Sequence, residues 1–158
     1  MKKLFCVLAL LLVLPRAGAV SARAAVVIDA DTGETLFEQN ADSRLPMAST
    51  TKIMTALVAL GEGDLDRVYT VKPEYAAVEG SSMYLKAGET LSLRDTLYGL
   101  MLASGNDAAE CIAAHCGGSG GSAQFVRWMN EKAKALGMEH TSFANPSGLD
   151  EMGHSSCA

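Results

Sequence analysis

The alternation of apolar and polar positions divides this 158-residue chain into one β-hairpin followed by helices. Ala25–Ile28 (AVVI) is apolar and β-branched, Asp29–Glu34 is polar, and Thr35–Phe37 resumes the strand-like character. That pattern predicts two antiparallel strands, with Gly33 at the turn position that needs positive φ. Residues 40–47 then read as a loop closed by Pro46. Ser49–Leu60 predicts a helix ended by Gly61, with Ile53, Ala56, Leu57 and Leu60 on one face. Val58 and Ala59 leave the rest of its surface nearly apolar, so the helix is expected in the interior. Asp64–Ser82 reads as loop. Ser92-Leu93-Arg94-Asp95 is a capping box that opens a helix through about Leu102. Ser104-Gly105-Asn106 interrupts it, and Asp107–His115 is helical again. The GGSGGS stretch, Gly117–Ser122, reads as a flexible connector. Gln124–Leu136 is amphipathic, with Gly137 as its stop, and the chain from Asn145 onward is a loop rich in Gly, Ser and Pro. No later strand is predicted, and a lone hairpin is marginal in water.

Composition narrows this to a globular domain: 49% of residues are hydrophobic and 20% charged. The first 24 residues stand apart from it. Lys2 and Lys3 precede the apolar run Leu4–Leu14, and small residues follow, which is the pattern of a secretory signal peptide and too short to span a bilayer. Two A-x-A sites compete, Ala17-Gly18-Ala19 and Ala22-Arg23-Ala24, and cleavage after Ala24 is expected because a strand begins there. The domains are thus a leader over 1–24 and an exported domain over 25–158. The formal net charge of −5 becomes −9 for residues 25–158, because residues 1–24 carry four cations and no acid. Such acidity argues against nucleic acid or an anionic membrane as partner. No second hydrophobic segment offers a membrane anchor. Cys111 and Cys116 would point about 140° apart on a regular helix, so a bridge would need the helix to end between them. His115, His154 and Cys157 match no zinc-ligand spacing, and no metal is expected.

The candidate chemistry begins with Ser49 and Lys52. Three residues apart on a helix, they share a face, and their side-chain tips can meet. A serine hydroxyl is a poor nucleophile unless a base accepts its proton. Lysine can be that base only when neutral, which in free solution at pH 7 costs about 4.6 kcal/mol. Burial in apolar surroundings shifts lysine in the required direction. Alone, the pair is better read as an N-cap serine beside a lysine that snorkels to water. Ser104 and Asn106 add a hydroxyl and a carboxamide on a tight break between helices, which is also a common helix-to-helix connection.

S-x-x-K followed by S-x-N resembles the signature of the penicillin-binding D-alanyl-D-alanine carboxypeptidases. The resemblance extends over VVIDADTGETLFEQNAD (26–42), LPMASTTKIMTAL (45–57), GSSMYLKAGETLSLRDTLYGLMLASGNDAAECIA (80–113) and FANPSGLDEMGHSSCA (143–158). It implies an α/β, β-lactamase/transpeptidase-like fold, with an antiparallel sheet flanked by helices and a helical subdomain. It implies that Ser49 is the acyl-ester nucleophile, that Lys52 accepts its proton and that Ser104 relays the proton to the leaving D-alanine. Asn106 would hold the substrate amide and help orient Lys52. The implied substrate is the D-Ala-D-Ala end of a peptidoglycan stem peptide, with β-lactam antibiotics as acylating inhibitors and no cofactor. The implied location is the extracytoplasmic face of a bacterial cell envelope.

The family's third motif, K-T-G on a strand far downstream, does not occur in these 158 residues: none of Lys52, Lys72, Lys86, Lys132 and Lys134 is followed by [ST]-G. The expectation is therefore the N-terminal part of a carboxypeptidase catalytic domain, incomplete at its C-terminus and weakly active or inactive alone. A missing oxyanion donor costs about 2.7–4 kcal/mol in other serine enzymes. A non-catalytic penicillin- or peptidoglycan-binding module is the alternative. A class A β-lactamase fits less well, because no E-x-x-L-N stretch is present.

Overall fold

The computed structural model describes residues 20–149. Most of the expected leader, and residues 150–158 with His154 and Cys157, lie outside that range. The chain forms two compact units, Met1–Ala41 and Asp42–Ala158.

The first unit is the expected hairpin. Strands β1 (Ala25–Ile28) and β2 (Thr35–Gln39) pair antiparallel, from Ala25 opposite Gln39 to Val27 opposite Phe37, with the register shifting before Ile28. Asp29 builds the turn. Its Oδ1 accepts from the Thr32 N–H at 2.8 Å, the Thr32 hydroxyl at 2.8 Å and the Asp31 N–H at 3.0 Å. The Thr32 N–H, then its hydroxyl and the Asp31 N–H, hold the Asp29 carboxyl below the usual range. Gly33 takes φ +74°, as the pattern required. Beyond β2, the Gln39 and Asn40 carboxamides donate to the carbonyls of Ala22 and Arg23 at 2.7 and 2.8 Å.

In the second unit, Ala48–Thr50 is a 3-10 turn that leads into α1 (Thr51–Glu62). The short strands β3 (Val68–Thr70) and β4 (Thr90–Ser92) flank α2 (Pro73–Ala76) and are followed by α3 (Leu93–Leu102), α4 (Asn106–Cys116) and α5 (Gly121–Ala135). α4 is the hub and packs against α1, α3 and α5. Its Ala108, Ala109, Cys111, Ile112 and Ala113 are fully buried, and the small alanines let neighbouring helices approach. Phe125 and Met129 of α5 and Leu100 of α3 complete the centre of the core.

Several expectations are corrected. The pairing of β3 with β4, Val68 opposite Ser92 and Thr70 opposite Thr90, supplies a second two-stranded sheet where only loop was expected. Three-residue strands some twenty residues apart are too short to show alternation and are fixed by long-range pairing. Ser49 precedes α1 and does not begin it, and α1 runs past Gly61 to Glu62. The glycine-rich stretch is a 3-10 turn, Gly118–Gly120, from which α5 begins at Gly121, so it is a helix–helix corner and not a loose connector. Most instructive is α1 itself: Ile53, Leu57 and Leu60 are exposed, and the buried face is Thr51, Lys52, Met54, Thr55, Val58 and Ala59.

Two helix-boundary expectations hold. Ser92 caps α3, accepting from the Asp95 N–H at 3.1 Å while its hydroxyl donates to the Asp95 carboxylate at 2.6 Å. Gly137, at φ +77°, follows the end of α5. α4 stays helical through Cys116, and both of its cysteines are free thiols. His115 stacks on the Tyr69 ring, with centroids 3.9 Å apart. Among the described residues, no helix is long and apolar enough to cross a membrane.

Candidate active site

The geometry starts from a sharp entry into α1. Ala48 adopts φ +48°, a conformation that costs a non-glycine residue about 1–2 kcal/mol and needs its surroundings to hold it. The Thr50 hydroxyl donates to the Met47 carbonyl at 2.6 Å and tightens the turn. Ser49 is thereby left exposed just before the first turn of α1, and Lys52 enters the interior at 3% exposure. Lys52 Nζ lies 3.2 Å from Ser49 Oγ and donates to the Ser147 carbonyl at 2.7 Å. Burial pushes the Lys52 amine below its ordinary value of 10.5.

The second side of the site comes from the α3–α4 break. Ser104 takes φ +53° and is half-buried. Asn106 opens α4, with its N–H on the Ser81 carbonyl at 2.7 Å and its Nδ2 on the Glu79 carbonyl at 2.6 Å. A Cβ on Gly80 would stand 2.7 Å from that Nδ2, so glycine at 80 is what lets the segment come so close. Asp107, at 1% exposure, holds the next residues: its carboxylate accepts from the Ser82 hydroxyl at 2.6 Å, the Leu85 N–H at 3.0 Å and the Met83 N–H at 3.1 Å. Burial alone would push this carboxyl up. Those donors, with the Ala108 N–H at 2.9 Å, outweigh it and keep the group below the ordinary range.

Ser49, Ala48, Gly80, Asn106, Ser147 and Gly148 face a common cleft of about 340 Å³. The structure thus brings Ser49, Lys52 and Asn106 to one place. Ser104 stands at the neighbouring turn, and among the described residues the Lys52 amine bonds to Ser49 and Ser147 and not to Ser104. The group that fixes Lys52 is the Ser147 carbonyl, supplied by a loop that sequence reasoning left without a role. Its only signal was the turn-forming run Asn145-Pro146-Ser147-Gly148. Neither thiol competes as a nucleophile: burial pushes Cys111 up to about 12 and Cys116 up to about 11, so both stay protonated at neutral pH. A hydroxyl beside a desolvated amine, opening on a cleft, is an arrangement able to make and break an acyl ester.

Solved structures similar to this chain include DD-peptidases of the transpeptidase fold, and its helices and small antiparallel sheets follow that fold. The D-alanyl-D-alanine carboxypeptidase DacD from Francisella tularensis matches with a TM-score of 0.82 at 38% identity, over 92% of this chain and 36% of that one. A Streptomyces DD-transpeptidase matches with a TM-score of 0.83 at 34% identity, over 88% of this chain and 57% of that one. Residues 13–158 match the D-alanyl-D-alanine carboxypeptidase family, and the chain belongs to it. Carboxypeptidase DacF from Bacillus subtilis is 44% identical over 143 residues, which cover 87% of this chain and 36% of DacF. The chain spans less than half the length of the curated relatives it matches.

Proposed function

We propose that this chain carries the Ser–Lys side of a serine-type D-Ala-D-Ala carboxypeptidase site acting on peptidoglycan stem peptides outside the cytoplasm. The observation that supports it is Lys52, buried and 3.2 Å from the exposed Ser49 hydroxyl. Ser49 Oγ attacks the carbonyl carbon of the penultimate D-alanine while Lys52 Nζ takes the hydroxyl proton. The peptide C–N bond breaks, and Ser104 passes the proton to the departing D-alanine amine. Asn106 holds the substrate amide in the cleft. Water then cleaves the ester and returns Ser49 to its resting form. A β-lactam enters the same sequence and stays as the ester. The leader-like pattern of residues 1–24 supports export to where such peptides are found.

Intact mass of the chain after incubation with penicillin tests this, because a single covalent event registers however slow the turnover is. One added penicillin mass is expected on wild type and none on Ser49→Ala. An unlabelled wild-type chain, or labelling that persists in Ser49→Ala, refutes the proposal. Release of D-alanine from a D-Ala-D-Ala peptide then separates hydrolysis from mere binding.

A further inference from the structure

We propose that the loop Asn145–Leu149 is a strap that sets the orientation of the Lys52 amine, with Thr55 and Asn145 as positioning residues acting through it. The proposal rests on the Ser49–Lys52 acyl-transfer reading, and its first readout is independent of acylation.

A neutral lysine amine serves as a base only when its lone pair faces the hydroxyl it must deprotonate. Free rotation about Cε–Nζ leaves that to chance. A backbone carbonyl can only accept, so the Ser147 oxygen at 2.7 Å claims one N–H and bars the rotamer that would aim the lone pair away from Ser49 at that oxygen. The orientation of the amine is then only as good as the position of that carbonyl. No helix or strand holds it, since residues 144–149 are irregular backbone.

Three things fix it instead. Thr55, three residues after Lys52 on the same face of α1, donates its hydroxyl to the Pro146 carbonyl at 2.6 Å. Lys52 and Thr55 thus grip two successive carbonyls of the strap. Asn145 shapes the strap from within: its Oδ1 accepts from the Gly148 N–H at 2.7 Å, the Ser147 N–H at 3.1 Å and the Ser147 hydroxyl at 3.2 Å. Its Nδ2 donates to the Leu149 carbonyl at 3.0 Å. Gly148, at φ +75°, lets the strap lie on the entry to α1, where a Cβ would collide with the Ala48 carbonyl oxygen. The strap therefore touches the turn that presents Ser49 as well as the amine that activates it. The groups bonded to the amine, Ser49 from the turn and Ser147 from the strap, carry no charge at neutral pH. Burial is then what keeps the amine neutral, and the strap, with Ser147 buried against it, is part of that cover.

The test follows the Lys52 amine by NMR on lysine-labelled full chain, with the Lys52 signal assigned by its loss in Lys52→Met. Thr55→Val removes the hydroxyl at nearly constant volume, and Asn145→Ala removes the internal brace. Each is expected to raise the Lys52 titration midpoint by about one pH unit as water reaches the amine, while Thr55→Ser stays at the wild-type value. The rise of penicillin acylation with pH should move by the same amount and in the same direction. Folded Thr55→Val or Asn145→Ala chains with an unmoved midpoint overturn the proposal. So does the unfolding of both, which would make the strap a fold element and not a positioning one. If the midpoints move but no variant, wild type included, is acylated, the strap stands and the acyl-transfer reading falls.

Discussion

The two sides of α1 invert the usual amphipathic rule. At about 100° per residue, Thr51, Lys52 and Thr55 share one side with Val58 and Ala59, and all of them are buried. Ile53, Leu57 and Leu60 occupy the opposite side and are 61%, 39% and 57% exposed. An ordinary surface helix would turn the second group inward. Within the described residues, hydrophobicity therefore does not decide which side is buried at the head of this helix. Polar partners choose it: the Pro146 and Ser147 carbonyls take a hydroxyl and an amine that would otherwise be buried without bonds. Further along, Met54, Val58 and Ala59 join the apolar core in the usual way. The contrast is between a face organised for chemistry and one that carries only apolar surface.

Replacing the amine tests that contrast hardest. Lys52→Met keeps the volume and removes the base, so acylation of Ser49 is expected to fall by roughly 10²–10⁴-fold. Stability should barely change near pH 7. The variant no longer buries an amine, which is favourable, but it leaves the Ser147 carbonyl unpaired, and the two effects are each about 1–3 kcal/mol. The pH dependence carries a clearer sign. The amine titrates below 10.5 in the folded chain, so between that lowered value and about 10.4 the unfolded chain binds more protons. Stability of the wild type therefore rises with pH across this window and is lowest below it. Lys52→Met should flatten that rise in urea titrations. A rise that persists in the variant would mean that Lys52 is not the buried base.

Side chains and backbone were unequally legible in the sequence. Ser49 and Lys52 could be paired from their spacing, and Asn106 from its place on a helix break, because residue type announces side-chain chemistry. The Ser147 carbonyl could not be found that way, since every residue has a carbonyl and the contact spans 95 residues. Thr55 drew no reading of its own for the same reason. α1 was read as buried all round, and the structure buries only the side that carries Thr51, Lys52 and Thr55, because periodicity ranks faces by hydrophobicity and cannot see hydrogen-bond partners. β3 and β4 were missed since three residues cannot display a period of two convincingly. The hairpin of the first unit, by contrast, was legible almost to the residue, since its turn chemistry is local.

Asp107 shows that the same rule runs with the opposite sign of charge. Like Lys52 it is buried and bonded largely to irregular backbone, but its partners are donors, so they keep it ionised. Asp107→Asn preserves shape but turns an N–H₂ toward N–H donors, and is expected to destabilise the chain by about 2–3 kcal/mol. Because its folded value is depressed, the wild-type carboxylate contributes stability above about pH 3.9 that disappears as pH falls through the folded value. The Asn variant should lose less on acidification. Equal acid sensitivity of the two chains would show that the charge on Asp107 is not what holds Ser82–Leu85.

The smallest effect is expected on the exposed side, where it bears most directly on the comparison. Ile53 is the chain neighbour of Lys52, about 100° around the helix. Ile53→Lys should change stability by no more than about 0.5 kcal/mol, and the new amine should titrate as an ordinary lysine because nothing desolvates it. In the double variant Lys52→Met/Ile53→Lys, the base has moved by a single residue, yet acylation should stay as low as in Lys52→Met alone. Charge, residue type and distance along the chain would be almost unchanged. What the moved lysine lacks is a dry environment, a carbonyl to fix its N–H and a hydroxyl within reach. A loss of more than about 2 kcal/mol in Ile53→Lys would be too large for a solvated position and would show that this side of α1 is covered after all. Restored acylation in the double variant would show that proximity to Ser49 suffices, and that the buried face and its strap are not needed to make a base of Lys52.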